Sequence, residues 1–189
     1  METYNNIPVF QIDFTDESFW NAISLVDVPA IERNFIKLSK DAELKLAINE
    51  EKREVSGPVI LPDQLIYRRD ANGEYYIKFS AETIKKMAQE FFKQDAQNTG
   101  NIQHQFGVDG ITFFESYLIN RDRGLFPVEF EDLPDGTWMV TAKIDNDNVW
   151  NLVKSGEIRG FSIDCQAAFR NDREIDKLQD FFDYLNNNK

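Results

Sequence analysis

The chain has 189 residues, and its 33 acidic against 21 basic side chains give a formal net charge of −12, which argues against nucleic-acid binding because phosphates call for a Lys/Arg-rich surface. Hydrophobic residues at 42%, with 16 Phe among them, suffice for a core without disulfides or metal, and the single Cys165 excludes an internal disulfide and a cysteine zinc cluster. No apolar run approaches the about 18 residues of a membrane span.

Strands are expected at 7–14 (IPVFQIDF), 20–26, 35–39, 42–48, 53–61, 74–79, 101–105, 111–119, 137–144 and 158–169. Turn signals separate them: SGP at 56–58, DANGE at 70–74, GVDG at 107–110, LPDG at 133–136 and NDN at 146–148. Three stretches read as helices. SAETIKKMAQEFFKQ begins at the N-cap Ser80 and puts Ile84, Met87, Ala88, Phe91 and Phe92 on one face. DNDNVWNLVKSGE runs from Asp145 to near Gly156. DREIDKLQDFFDYLNNNK, from Asp172, aligns Ile175, Leu178, Phe181, Phe182 and Leu185.

Short strands with a few helices between them predict a β-rich α+β domain, a barrel or a sandwich. A single domain over 1–189 is expected, with its core at about 20–170 and a C-terminal helix at about 172–186. The N-terminus METYNNIPVF lacks a basic stretch followed by an apolar one, so no signal peptide is expected. Neither GxGxxG nor GxxxxGK[ST] occurs, which argues against the common nucleotide enzymes.

Candidate chemistry centres on IRGFSIDCQ, residues 158–166. Phe161, Ile163 and Cys165 alternate with Ser162, Asp164 and Gln166, the pattern of an amphipathic strand. Cys165 then turns to the core as a structural thiol. Ser162 is either a polar residue on the outer face or a nucleophile. The hydrolase elbow GxSxG is absent, because position 164 is Asp. His104, the one imidazole, lies in GNIQHQFG and alternates in phase with Ile102 and Phe106, which predicts partial burial on a strand. It is either a hydrogen-bonded structural residue or the general base that a serine nucleophile needs.

No cofactor or metal is expected. DNDN at 145–148 resembles a calcium loop, but Trp150 stands where Gly is needed and Gly156 where the bidentate Glu is needed, so it reads as a turn and helix cap. The acidic run EFED at 129–132 reads as a solvated loop.

Several stretches in order resemble the head maturation (prohead) serine proteases of tailed bacteriophages. They are SLVDVPAIERNFIKLSK, EVSGPVILPDQLIYRRDANGEYYIKFSAETI, NIQHQ, ESYLI, LPDGTWMVTAKI and NVWNLVKSGEIRGFSIDC, spanning roughly residues 20–170. The resemblance implies an assemblin-like β-barrel of about seven strands surrounded by helices. It implies His104 as base in the NxxH strand and Ser162 as nucleophile in the GFS strand. The best match for the third member is Asp164, with Glu115 a second candidate. No oxyanion hole is located by the resemblance: Arg170 or Arg173 is a poor counterpart of the arginine turn in herpesvirus relatives, and backbone N–H groups are the alternative. Many relatives carry Asp directly after the histidine, whereas this chain has Gln105.

The function so implied is a serine endopeptidase that processes scaffold and capsid proteins inside the assembling procapsid in the host cytoplasm, working as a homodimer, with neither nucleic acid nor membrane as partner. The alternative is a catalytically inactive, protease-like assembly protein. A small-molecule hydrolase outside phage biology ranks last, because no lid or elbow signal supports it.

Overall fold

The computed structural model describes residues 2–15, 18–29, 47–49, 52–70, 73–166 and 168–169. The chain starts with a hairpin that the sequence pattern did not predict. Strand β1 (Glu2–Tyr4) pairs antiparallel with β2 (Ile7–Asp13) across Asn5 and Asn6, whose φ values of 51° and 64° are those of a two-residue hairpin turn. Strand β3 (Phe19–Val26) follows, then β4 (Ala47–Asn49), β5 (Glu54–Ile60), β6 (Ile66–Asp70) and β7 (Gly73–Phe79).

Helix α1 (Ala81–Lys93) begins where expected. The Ser80 hydroxyl accepts the Thr83 N–H at 3.1 Å, and Ile84, Met87 and Phe91 are buried, while Phe92 faces solvent. The helix end is tied to β3, since Gln94 Oε1 accepts the Trp20 N–H and Trp20 Nε1–H donates to the Met87 carbonyl.

Strands β8 (Gly100–Ile102), β9 (Phe106–Gly107), β10 (Ile111–Leu118) and β11 (Trp138–Ile144) come next. Helix α2 (Asp147–Lys154) is capped by Asn146, whose Oδ1 accepts the N–H groups of Asn148 and Val149. Gly156, at φ 74°, closes it in the left-handed conformation that only glycine adopts freely. DNDN is thus a helix start, as expected. Strands β12 (Gly160–Gln166) and β13 (Ala168–Phe169) end the described chain. The expected strand at 35–39, most of that at 42–48, and the helix from Asp172 lie outside the described residues.

The strands form three sheets. The first has the order β1-β2-β7-β6, with β13 also on β2; the second is β10-β11-β5-β4; the third is β12-β3-β8-β9. The expected closed barrel of about seven strands is therefore corrected to three open sheets among the described residues. Strands β12 and β5 lie side by side, yet no ladder joins them. Strand β4 takes the 54–56 stretch of β5's second edge, and Pro58 has no N–H to contribute to a ladder.

Aromatic residues hold the second and third sheets and α1 together. Trp20, Phe91 and Trp138 meet edge to face with ring centroids 5.4–5.5 Å apart, Phe91 reaches Phe113 at 5.8 Å, and Phe113 reaches Phe161 at 5.8 Å. Phe161 is 1% exposed, so the residue before Ser162 is anchored in the core.

Candidate active site

The third sheet brings the candidate residues together. β3 lies at its centre, antiparallel to β12 and parallel to β8. In register, Phe161, Leu25 and Ile102 form one rung, and Ser162, Ser24 and Asn101 form the next. Side chains alternate across a sheet, so the first rung feeds the core and the second occupies the opposite face. That second face is nonetheless covered: Ser24 is 0% exposed, Asn101 9% and Ser162 6%.

Two contacts explain why the quoted stretches of sequence belong together. A Cβ on Gly160 would lie 2.3 Å from Cγ of Pro29, so glycine lets the end of SLVDVP pack on the start of GFSIDC. Asp27 accepts a hydrogen bond from the Gln103 side chain and another from the Val28 N–H; these hold its carboxyl below the usual range, with Arg159 adding a smaller pull. The turn that carries His104 is tied to β3 by the Gln103 N–H, which donates to the Leu25 carbonyl at 3.1 Å.

That turn corrects the expected strand at 101–105. The strand stops at Ile102; Gln103 and His104 take φ values of 55° and 56°, and the Gln105 N–H donates to the Ile102 carbonyl. Two successive left-handed residues closed by this bond define a type I′ turn. Glycine or asparagine usually occupies such positions, so Gln-His gives no turn signal, and its accidental alternation with Ile102 and Phe106 reads as a strand. His104 is accordingly more exposed than predicted, at 41% of its side chain.

The imidazole points back over β3. Its Nδ1 lies 2.8 Å from Ser24 Oγ and 3.8 Å from Asp164 Oδ2. Asp164 is oriented by two amides: Asn21 Nδ2–H donates to Oδ1 at 2.9 Å, and Asn101 Nδ2–H to Oδ2 at 3.5 Å. Asn21 is the extra residue of a β-bulge, because Asp164 pairs with Ala22 and Cys165 with Trp20. Bulges re-aim side chains, and here the bulge delivers Asn21 to the carboxylate. Asn101 Oδ1 is buried and has no hydrogen-bond partner among the described residues.

Ser162 stands directly opposite Ser24, but no hydrogen bond joins it to His104; the imidazole has taken the neighbouring hydroxyl. Ser162 lines a small cavity with Val59, Ile60, Ile66, Arg68, Phe161 and Ile163. Arg68 donates to the Tyr67 carbonyl, and it has no ion pair among the described residues; burial pushes its guanidinium below its ordinary range. On the other face of β12, burial foremost, with the Asp164 charge next, pushes the Cys165 thiol up to about 12, which leaves it an inert packing residue as expected.

Of the two acids considered, Asp164 reaches the imidazole. Glu115 lies in the second sheet, where its Oε2 accepts the Thr141 hydroxyl at 2.6 Å. Arg170 and Arg173 lie outside the described residues. Sequence reasoning missed Ser24, Asn21, Asn101 and Arg68. Ser24 and Asn101 were in plain sight, within SLVDVPA and NIQH, and register is the information that joins them to Ser162. No group of three His, Cys, Asp or Glu suited to a metal occurs among the described residues.

A serine hydroxyl, an imidazole and a carboxylate gathered on one sheet face are the residue types of serine hydrolases. The chain belongs to the family described as "Putative phage serine protease XkdF", whose model matches residues 42–181. The matched segment holds His104, Ser162, Asp164 and Arg68 and begins after Ser24. The chain is also similar to "Uncharacterized protein YqbD" of Bacillus subtilis (strain 168), at 29% identity over 149 residues. That alignment covers 75% of this chain and 42% of the relative, so the chain spans less than half of that relative's length. No solved structure matches the chain.

Proposed function

We propose that this chain is a serine endopeptidase that trims scaffold and capsid proteins inside the immature phage head. The observation that carries the reading is the histidine held 2.8 Å from a strand serine, directly across the ladder from Ser162, with the Asp164 carboxylate beside it. Membership of a family described as a phage serine protease supports the reaction class and the phage setting.

In this reading Ser162 attacks the peptide carbonyl, His104 takes the proton and returns it to the leaving amine, and Asp164 favours the imidazolium. A serine hydroxyl is a weak nucleophile until its proton has somewhere to go, which is why the imidazole is needed. Arg68, beside Ser162, supplies positive charge for the oxyanion. A second reading, a protease-like assembly protein without turnover, draws on the absence of a Ser162–His104 bond in this structure.

Co-expression with the phage's major capsid protein separates the two. The protease reading expects a trimmed capsid protein with the wild-type chain and an intact one with Ser162→Ala. Equal trimming in both would reject Ser162 as nucleophile, and no trimming in either would favour the inactive assembly protein.

A further inference from the structure

Ser24 is the residue that the catalytic reading leaves unexplained. It lies between Ile23 and Leu25 on the central strand and is 0% exposed. A buried hydroxyl is costly unless it is bonded, and an alanine would fill the site without that cost. Its bond is to the one histidine of the chain, at 2.8 Å. Its antiparallel partner is Ser162, whose own hydroxyl carries no hydrogen bond among the described residues. Directly opposed residues place their Cβ atoms about 4.5–5.5 Å apart on one face, within reach of two hydroxyls that turn about χ1.

We infer that Ser24 passes the proton between Ser162 and His104. The inference rests on the protease reading and concerns how its base is reached. As the Ser162 Oγ–C bond forms, the carbonyl π pair moves onto oxygen. The Ser162 proton moves to Ser24 Oγ while the Ser24 proton moves to His104 Nδ1. On collapse the oxyanion pair re-forms the C=O bond, the C–N bond breaks, and its pair takes the proton returned from Nδ1 through Ser24. Water repeats the cycle: its oxygen bonds the acyl carbon, its proton travels the same path, and the C–Oγ bond breaks to restore Ser162. Complete burial excludes Ser24 as the attacking group in this arrangement, because no substrate carbonyl can touch it.

The test uses a fluorophosphonate as an electrophilic probe of Ser162 and four substitutions. Ser24→Thr and Ser24→Val match each other in shape and differ in the hydroxyl; Ser24→Ala removes it without added bulk; Ser162→Ala controls for the labelled atom. Thermal melts confirm folding, and Ser24→Ala decides the matter should the larger pair fail to fold. A proton path through Ser24 predicts that Ala lowers the maximal labelling rate about 100-fold, with the half-saturating probe concentration unchanged. It also predicts that Thr labels at least about 10-fold faster than Val. Wild-type rates in Ser24→Ala, equal rates in Thr and Val, or an adduct on Ser24 in the wild-type chain would overturn the proposal. If the wild type labels at Ser162 and the Ser24 variants match it, the relay fails and the protease reading stands. If the wild type labels nowhere, both fail together.

Discussion

Two sheets of this molecule carry a polar rung across three strands, and the two rungs behave differently. In the second sheet Ser56, Thr141 and Glu115 lie in register across β5, β11 and β10. The Ser56 and Thr141 hydroxyls bond each other at 2.8 Å, and Thr141 donates to Glu115 at 2.6 Å. Each hydroxyl there has a partner, and no imidazole is near. In the third sheet Ser162, Ser24 and Asn101 form the equivalent rung, yet among the described residues the Ser162 hydroxyl is unbonded and Asn101 Oδ1 has no donor. A satisfied rung is sheet structure. In the protease reading, a rung left open beside an imidazole and a carboxylate leaves the Ser162 hydroxyl uncommitted.

Substitution can break this comparison, and the largest effect belongs to the open rung. His104→Ala is expected to lower the rate of capsid-peptide cleavage by about 10⁵–10⁶-fold, as loss of a nucleophile–base unit does. Ser56→Ala should leave that rate within about twofold, because the hydroxyl acts only on Thr141. Asp164→Asn should cost about 10²-fold in kcat. That is less than for a directly bonded acid, since 3.8 Å separates the carboxylate from Nδ1. A kcat unchanged from wild type would remove Asp164 from the site.

Smaller effects test what positions the rung. Gly160→Ala sets a Cβ against Pro29 and should lower unfolding stability by about 1–3 kcal/mol in a denaturant titration, with slower labelling of Ser162. Unchanged stability would mean that the Pro29 ring yields freely. Thr141→Val leaves Ser56 and Glu115 without their shared partner and should cost about 1 kcal/mol with activity intact. The smallest expected effect is at Cys165. With its thiol pushed up to about 12, iodoacetamide at pH 8 should leave the folded chain unmodified and should react once urea exposes the thiol. Rapid alkylation of the folded chain would show that this face of β12 is open.

Much of the fold was legible because local chemistry and tertiary structure agreed. Ser80 capped α1, and the alternation of Phe161, Ser162 and Ile163 marked β12. Phe92, counted with the helix's buried face, faces solvent because that face is narrower than the run of apolar residues. His104 misled for a different reason. Its type I′ turn is built from glutamine and histidine, and non-local contacts hold them in the left-handed conformation: the Gln103 N–H donates to the Leu25 carbonyl, and His104 Nδ1 meets Ser24 Oγ at 2.8 Å. The sheet closure expected from resemblance also failed on a non-local fact: β4 and Pro58 occupy the part of β5 that a closing ladder would have used.

The candidate site was half legible. The roles of Ser162, His104 and Asp164 came from the resemblance, where residue pattern alone left Ser162 and His104 open; the structure sets Asp164 Oδ2 3.8 Å from His104 Nδ1. Ser24 escaped because a serine within NAISLV has no local signature. Its meaning comes from register, which sets it between Ser162 and His104.

The most direct test of the central claim is mass mapping of the fluorophosphonate adduct on the wild-type chain and on His104→Ala. The account predicts one adduct, on Ser162, in the wild type and none in His104→Ala at equal exposure. An adduct on another serine, or equal labelling without the imidazole, would contradict it.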